Sequence, residues 1–178
     1  RDRALHGRTR EDMYLNTARY DLIKEVKQLI RIPVVANGDI DSPEKAKYVL
    51  DYTGADAIMI GRAAQGRPWI FREIAHYLET GEHLAAPSIQ EVKEVLLGHL
   101  AELYAFYGEY SGCRIARKHI AWYTKGLRSS NEFRQNMYKV ESTTEQFKVV
   151  ADYFDQLLIH GETMNDVQVE QVNLLETK

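Results

Sequence analysis

The chain of 178 residues has little cysteine and no long apolar run. Its single cysteine, Cys113, cannot form a disulfide within the chain, which is typical of proteins of a reducing compartment. No apolar stretch approaches the roughly 20 residues that a membrane-spanning helix needs. The first ten residues, RDRALHGRTR, are polar and basic and lack the apolar core of a secretory signal. These absences predict a cytoplasmic protein without a membrane partner.

Histidines in metal-ligand spacing are also missing. The nearest acid–histidine pair, Glu73 and His76, has the spacing of ordinary neighbours on a helix face. We therefore expect no metal site. What the chain does have is 44% hydrophobic and 28% charged residues, a composition that can bury a core in one domain or two small ones.

The first part of the chain alternates helical patterns with short apolar runs. VVA (34–36) and AIMI (57–60) are predicted as buried strands. A helix that begins at Ser42-Pro43 and ends near Gly54 lies between them, and RPWIFREIAHYLETG (67–81) follows as a further helix. Short links between these elements imply parallel strands, in a doubly wound sheet or a (β/α)₈ barrel.

From residue 82 onward the patterns are helical only. Capping boxes at Ser88, Ser129 and Ser142, each followed by Glu three residues later, predict helix starts. We expect a first helix to about residue 107 and a second over about 113–126. The predicted organisation is an α/β region over 1–81, an all-helical bundle domain over 82–160 and a disordered tail over 161–178.

Two predicted strands end in polar or glycine-containing tips. Asn37-Gly38-Asp39 combines a glycine that permits a sharp turn with hydrogen-bonding side chains. Gly61-Arg62 combines backbone N–H groups with a guanidinium. In parallel α/β folds ligands bind at the carboxyl ends of strands, so the two tips together predict a phosphate site. Each tip by itself also fits an ordinary turn.

Two further residues are candidates for chemistry. His6 would stand at a third strand end if the residues before it form a strand, although a histidine in a basic loop fits as well. Cys113 is placed at a predicted helix start, which would lower the pKa of its thiol somewhat. It has no evident base partner, and we expect a structural role.

Positive charge is concentrated in residues 111–139. This window has seven Lys and Arg and one acid, a net charge of +6, which leaves −9 on the rest of a chain whose total is −3. A solvated helix face explains such a run, and so does a surface for a polyanion.

Four strings in the sequence resemble a known family. HGRTR (6–10), IPVVANGDI (32–40), DYTGADAIMIGRAAQGRPWIFREI (51–74) and RIARKHIAWY (114–123) are similar to the C-terminal part of bacterial tRNA-dihydrouridine synthases, in their B branch. The resemblance implies the last strands, about six to eight, of a (β/α)₈ barrel that holds FMN, followed by a helical domain that holds tRNA. It also implies reduction of specific uridines of tRNA to 5,6-dihydrouridine, with NADPH as the reductant of FMN.

The resemblance also assigns roles to individual residues. It places the cofactor contacts at His6, Asn37, Gly38, Asp39, Gly61 and Arg62. It places the tRNA backbone contacts at Arg114, Arg117, Lys118 and Lys125.

The chain departs from the family pattern in what it lacks. The first five strands and the catalytic cysteine are missing, so we expect no catalytic residue in this chain and no activity of it alone. The RDRAL lead into His6 indicates a truncated or frame-disturbed reading of a longer gene, whose product would be a monomer. Two other functions stay open: a non-catalytic RNA-binding helical module with a vestigial half barrel, and a half barrel that binds flavin or a phosphorylated metabolite without RNA.

Overall fold

The computed structural model describes residues 2–8 and 17–164. It divides into two compact units, whose boundary falls between residues 84 and 85. None of the described helices is long and apolar enough to cross a membrane. Residues 165–178, most of the predicted disordered tail, lie outside the described residues.

The described residues of the first unit, 2–8 and 17–84, form a three-stranded parallel sheet with helices. Its elements in chain order are β1 Arg3–His6, α1 Tyr20–Leu29, β2 Val34–Asn37, α2 Pro43–Thr53, β3 Ala57–Met59, a short 3-10 helix Arg62–Ala64 and α3 Ile70–Thr80. The strand order is β1-β2-β3, and the register pairs Leu5 with Ala36 and Ala36 with Ile58. The predicted α/β class with parallel strands is confirmed.

Local signals at the ends of α2 act as predicted. The Ser42 hydroxyl accepts a hydrogen bond from the Lys45 N–H at 3.1 Å, and Pro43 occupies the first helical position, where a missing N–H costs nothing. Gly54 ends the helix at φ 67°, and its N–H donates to the Leu50 carbonyl. These caps fix where the chain leaves α2 for β3.

The core of this unit lies between one face of the sheet and the helices. Val34 and Ala36 of β2 are fully buried against apolar side chains of α1, α2 and α3. The prediction that residues 57–60 form a buried strand is wrong in part, because Met59 is 47% exposed and Ala57 is exposed as well. Alternate residues of a strand point to opposite faces, and among the described residues only one face of this sheet is covered.

In the described part of the second unit, up to residue 164, the helices are α4 Ile89–Tyr123, α5 Ser130–Met137 and α6 Thr143–Ile159. Helix α4 is interrupted at Gly108, which has φ 72° and ψ 178°. The Tyr123 hydroxyl lies 3.5 Å from Nδ1 of His99, although 24 residues of straight helix would span about 36 Å. The two arms of α4, residues 89–107 and 109–123, therefore fold back on each other.

All three predicted helix starts in this unit are confirmed, and two of them have a serine side-chain cap. The hydroxyls of Ser88 and Ser142 accept hydrogen bonds from the backbone N–H three residues later, at 3.1 and 3.4 Å. At Ser129 the helix start is confirmed, since α5 begins at Ser130, but Ser129 has φ 53° and makes no side-chain cap. An N-cap residue needs extended backbone to aim its side chain at the first turn, and Ser129 lacks it.

Candidate functional site

A cavity of about 480 Å³ lies at the carboxyl ends of the three strands. Its lining contains all six residues predicted to hold a cofactor: His6, Asn37, Gly38, Asp39, Gly61 and Arg62. The parallel sheet explains this meeting, since β1, β2 and β3 all end on the same edge. Their roles toward a ligand stay a prediction.

The Asp39 carboxylate accepts hydrogen bonds from three separate segments of the chain. Its Oδ2 accepts hydrogen bonds from the Arg8 guanidinium and, at 2.9 Å, from the Ala18 N–H. Its Oδ1 accepts from Nη2 of Arg62 at 3.2 Å. Asp39 thus joins the loop after β1, the segment before α1 and the turn after β3, and we call this set the Asp39 clasp.

The clasp fixes the charge state of its carboxyl. Burial would raise the pKa of Asp39, but hydrogen bonds from Arg8 and Ala18, with the charges of Arg8 and Arg62, hold the pKa below its usual value. The two arginines differ in exposure: the Arg8 side chain is 5% exposed and that of Arg62 is 56% exposed. Arg62 is therefore the cation of the clasp that a ligand in solution meets first.

Gly38 shapes the floor of the cavity. It has φ 134°, and a Cβ placed on it would lie 2.6 Å from the Ala18 Cβ. Its carbonyl accepts a hydrogen bond from the buried Tyr20 hydroxyl at 2.5 Å. Burial, and then the charges of Asp39 and Asp41, raise the pKa of Tyr20 to about 12, so the hydroxyl remains a donor near neutral pH.

Asn37 and Gly61 complete the rim. The Asn37 side-chain amide donates to the Met59 carbonyl at 2.9 Å and so ties the ends of β2 and β3 together. Gly61 stands before the 3-10 helix with no atom within 4 Å of the position that a Cβ would occupy. The turn after β3 therefore leaves open space beside a backbone that a ligand can approach.

The residues predicted to contact tRNA lie in the second unit. Arg114, Arg117 and Lys118 are on the second arm of α4, and Lys125 follows that helix. Lys118 lies over the Trp122 ring, 5.8 Å from its centroid, and both Lys118 and Lys125 are exposed. Arg114 and Arg117 line a common cavity.

Cys113 does not stand at a helix start, so that prediction is wrong. The second arm of α4 begins after Gly108, and Cys113 lies inside it with 1% of its surface exposed. Burial is the main cause that raises the pKa of this thiol, contrary to the expected lowering. Its Sγ donates to the Val140 carbonyl at 3.4 Å. The thiol is a buried donor and a poor nucleophile.

Comparison with known proteins decides the family. The dihydrouridine synthase family model matches residues 3–158. The chain belongs to the dihydrouridine synthase family. The resemblance drawn from the four sequence strings is confirmed.

Three curated relatives with which the chain shares more than half of the aligned residues are all named tRNA-dihydrouridine synthase B. It is 59% identical over 155 residues to tRNA-dihydrouridine synthase B of Shewanella oneidensis, covering 87% of the chain and 48% of the relative. It is 58% identical over 154 residues to that of Vibrio vulnificus, covering 86% and 48%. For Pseudomonas aeruginosa the values are 57% over 158 residues, 89% and 48%. The chain spans about half the length of the curated relatives it matches.

Sequence patterns missed two residues that hold the lining of the strand-end cavity. Ala18 supplies the N–H that holds Asp39, and Tyr20 supplies the hydroxyl that holds Gly38. Both contacts cross about 20 residues of chain, so no local motif indicates them. Ala18 lies just before α1 and Tyr20 is its first residue, so only the folded chain brings them next to the tip.

Proposed function

We propose that this chain forms one wall of the FMN site of a tRNA-dihydrouridine synthase and carries a helical unit that binds tRNA. The reaction is the FMN-dependent reduction of specific uridines in tRNA to 5,6-dihydrouridine, with NADPH as the final reductant. The observation that carries the proposal is the cavity at the strand ends, where Arg62 is held on Asp39 beside the open backbone of Gly61. The family match and the names of the curated relatives support it.

The residues present fit a flavin phosphate. A phosphate needs N–H donors and positive charge in a place that its oxygens can enter. Gly61 offers an unobstructed backbone and Arg62 a guanidinium that is more than half exposed. In this assignment Gly61 and Arg62 hold the phosphate, while His6, Asn37 and Gly38 border the remainder of the cofactor.

Asp39 has a different role from the one that the resemblance assigns. Both of its oxygens already accept hydrogen bonds from the protein, and its negative charge would repel a phosphate. We propose that it is a positioning residue that orients Arg62 through the clasp rather than a contact of the cofactor. Preorganisation of this kind lowers the entropic cost of binding.

When bound, the reduced cofactor supplies the hydride that adds to C6 of the uridine. The partner proton for C5 must come from an acid close to the base, and the family uses a cysteine for this step. Cys113 does not fit that role, since its thiol is buried in the second unit. We therefore propose that the acid lies outside these residues and that the chain alone does not reduce uridine.

The barrel and RNA assignments belong to the same proposal. The three strands correspond to about strands six to eight of a (β/α)₈ barrel, within residues 1–81. The helical residues 82–160 carry the +6 window over 111–139, whose exposed members Arg114, Lys118 and Lys125 suit the phosphates of tRNA.

We propose a monomer without a metal; among the described residues no three His, Cys, Asp or Glu side chains cluster as a metal site requires.

A titration of the purified chain with FMN, followed by flavin fluorescence, tests the proposal. We expect weak binding by the wild type, weaker binding by Arg62→Gln, and wild-type binding by the control Arg31→Gln, which removes an exposed arginine away from the cavity. Tight stoichiometric binding would contradict a partial site. Equal binding by wild type and Arg62→Gln would remove Arg62 from the phosphate site.

A further inference from the structure

A second cavity, in the helical unit, has the chemistry of a nucleotide site. It has a volume of about 140 Å³ and is lined by Tyr110, Cys113, Arg114, Arg117 and Glu141. That volume exceeds several-fold the space that one water needs, so a phosphate group fits within it. We propose that this cavity and the Tyr110 ring bind one unpaired nucleotide of the RNA, an inference that rests on the proposed tRNA-binding function.

The guanidinium of Arg117 is held by one hydrogen bond and has further N–H donors that could bind a ligand. Its Nη2 donates to the Val140 carbonyl at 3.0 Å, which fixes the group in place. Its Nε is buried and has no hydrogen-bond partner in the described residues. A buried unpaired N–H costs about 1–3 kcal/mol, and a guanidinium has five donors in a fork that matches a phosphate. An anion in the cavity that accepts a hydrogen bond from this N–H would remove this cost.

The thiol beside Arg117 adds no negative charge to the cavity. The Val140 carbonyl that anchors Arg117 also accepts from the Cys113 thiol, so this carbonyl holds two neighbours in fixed positions. Burial raises the pKa of Cys113, and the thiol therefore stays neutral beside the guanidinium. A thiolate at this place would compete with a phosphate for the same cation.

Tyr110 provides a platform for a base. Its ring is 73% exposed, which is unusual for an aromatic side chain in a helix that also has a buried face. Nη1 of Arg114 donates to the Tyr110 hydroxyl at 2.8 Å, and the Arg114 guanidinium lies 5.1 Å from the ring centroid. The arginine thus holds the ring in one orientation and leaves the rest of it to solvent. An exposed, fixed ring next to paired arginines is the arrangement with which proteins stack unpaired bases.

Charge complementarity selects RNA as the occupant. Three of the five lining residues, Cys113, Arg114 and Arg117, fall in the +6 window over residues 111–139 of a chain with a net charge of −3, and the two arginines outnumber the lining carboxylate. Glu141 is the one carboxylate in the lining; it is exposed and forms no described ion pair with either arginine. The negative charge of Glu141 would repel a second phosphate group, so the site suits a single nucleotide better than the closely spaced phosphates of a duplex.

Binding of an unmodified tRNA transcript to the 178-residue chain, measured by fluorescence anisotropy over a range of KCl concentrations, tests the platform. Tyr110→Ala should weaken binding roughly ten-fold without changing the salt slope, because stacking releases no counterions. Tyr110→Phe should stay within about two-fold of wild type, since the ring is kept. Tyr138→Ala, which removes an exposed ring inside the basic window but outside the cavity, is the control and should have little effect.

The same assay tests the phosphate contact. Arg117→Gln should weaken binding and lower the salt slope by about one, whereas Lys148→Gln, an exposed charge on α6 outside the window, should change the slope little. Glu141→Gln should tighten binding, because it removes a like charge from the phosphate. Circular dichroism of each variant establishes that the helical unit is folded.

The outcomes separate this inference from the proposed function. If the transcript binds the wild type but Tyr110→Ala and Arg117→Gln bind it equally well, the nucleotide site is overturned and tRNA binding stands. If the transcript does not bind the wild type, both fail. Heparin, a polyanion without bases, gives a further check: Tyr110→Ala should bind it as wild type does, and an equal loss with heparin would overturn the stacking role.

Discussion

Gly38 and Ala18 touch so closely that the turn after β2 tolerates only glycine. A Cβ on Gly38 would stand 2.6 Å from the Ala18 Cβ, far inside the contact distance of two carbons, and Gly38 has φ 134°. The contact brings the Ala18 N–H to 2.9 Å from Asp39 Oδ2. The backbone conformation of the Asn37-Gly38-Asp39 tip and the orientation of the Asp39 clasp therefore depend on the same contact with Ala18.

Substitution Gly38→Ala should destabilise the first unit by about 3 kcal/mol, as the sum of backbone strain and overpacking. Urea unfolding measures this loss. The double variant Gly38→Ala with Ala18→Gly removes the steric part alone and should recover about half of it. If Ala18→Gly recovers none of the loss, the close contact is not the cause.

Substitution Asp39→Asn should destabilise the first unit by about 2 kcal/mol at pH 7, because Arg8 and Arg62 lose a charged acceptor and one of the two oxygens becomes an NH2 donor. The pKa of Asp39 is lowered in the folded chain, so its contribution is fully present above the unfolded pKa near 4 and is lost as the pH falls through the folded pKa. Urea unfolding at pH 7, 5 and 3 should give a constant difference between wild type and variant down to pH 5 and a smaller one at pH 3. A difference that does not change with pH would show that the charge is unimportant.

Two glycines of α4 should respond to alanine in opposite directions. On Gly112 a Cβ would lie 3.2 Å from Tyr104 Cδ1 and 3.3 Å from its Cα, where the arms of the helix pack. Gly112→Ala should therefore destabilise the second unit by about 1 kcal/mol, because overpacking outweighs the gain in helix propensity. Gly98 is exposed with nothing within 4 Å, and Gly98→Ala should stabilise by about 0.5–1 kcal/mol. Thermal unfolding that moves both variants the same way would contradict the close packing of the arms.

How far the sequence predicts this molecule depends on how local each signal is. Ser42, Pro43 and Gly54 determine the ends of α2 through bonds that span a few residues, and these predictions are confirmed. The glycine and arginine tips could be placed on one edge because parallel strands require it.

The wrong predictions all concern features that distant residues decide. Met59 is exposed because nothing among the described residues covers its face of the sheet, which its own string cannot reveal. The sequence predicts a second helix from about residue 113, but the second arm of α4 begins after Gly108 and Gly112 packs against Tyr104 within it, so Cys113 lies inside a helix. The Ala18 contact with Asp39 spans 21 residues and has no sequence signature.

Protonation of His119 should weaken the second unit in mild acid. Burial, then the neighbouring His99 and Lys118, lower the pKa of His119 to about 4, and its ring meets the His99 ring with centroids 4.7 Å apart. Between the folded pKa and the unfolded value near 6.5, the unfolded chain binds a proton here that the folded chain does not, so stability falls as the pH falls across that range. After allowance for partial exposure, we expect the free energy of unfolding to fall by about 2 kcal/mol between pH 7 and pH 4. This fall should be absent in His119→Gln and should persist in the control His160→Gln, which changes an exposed histidine. Urea unfolding across this range measures it, and an equal pH dependence in wild type and His119→Gln would mean that the histidine pair does not couple to folding.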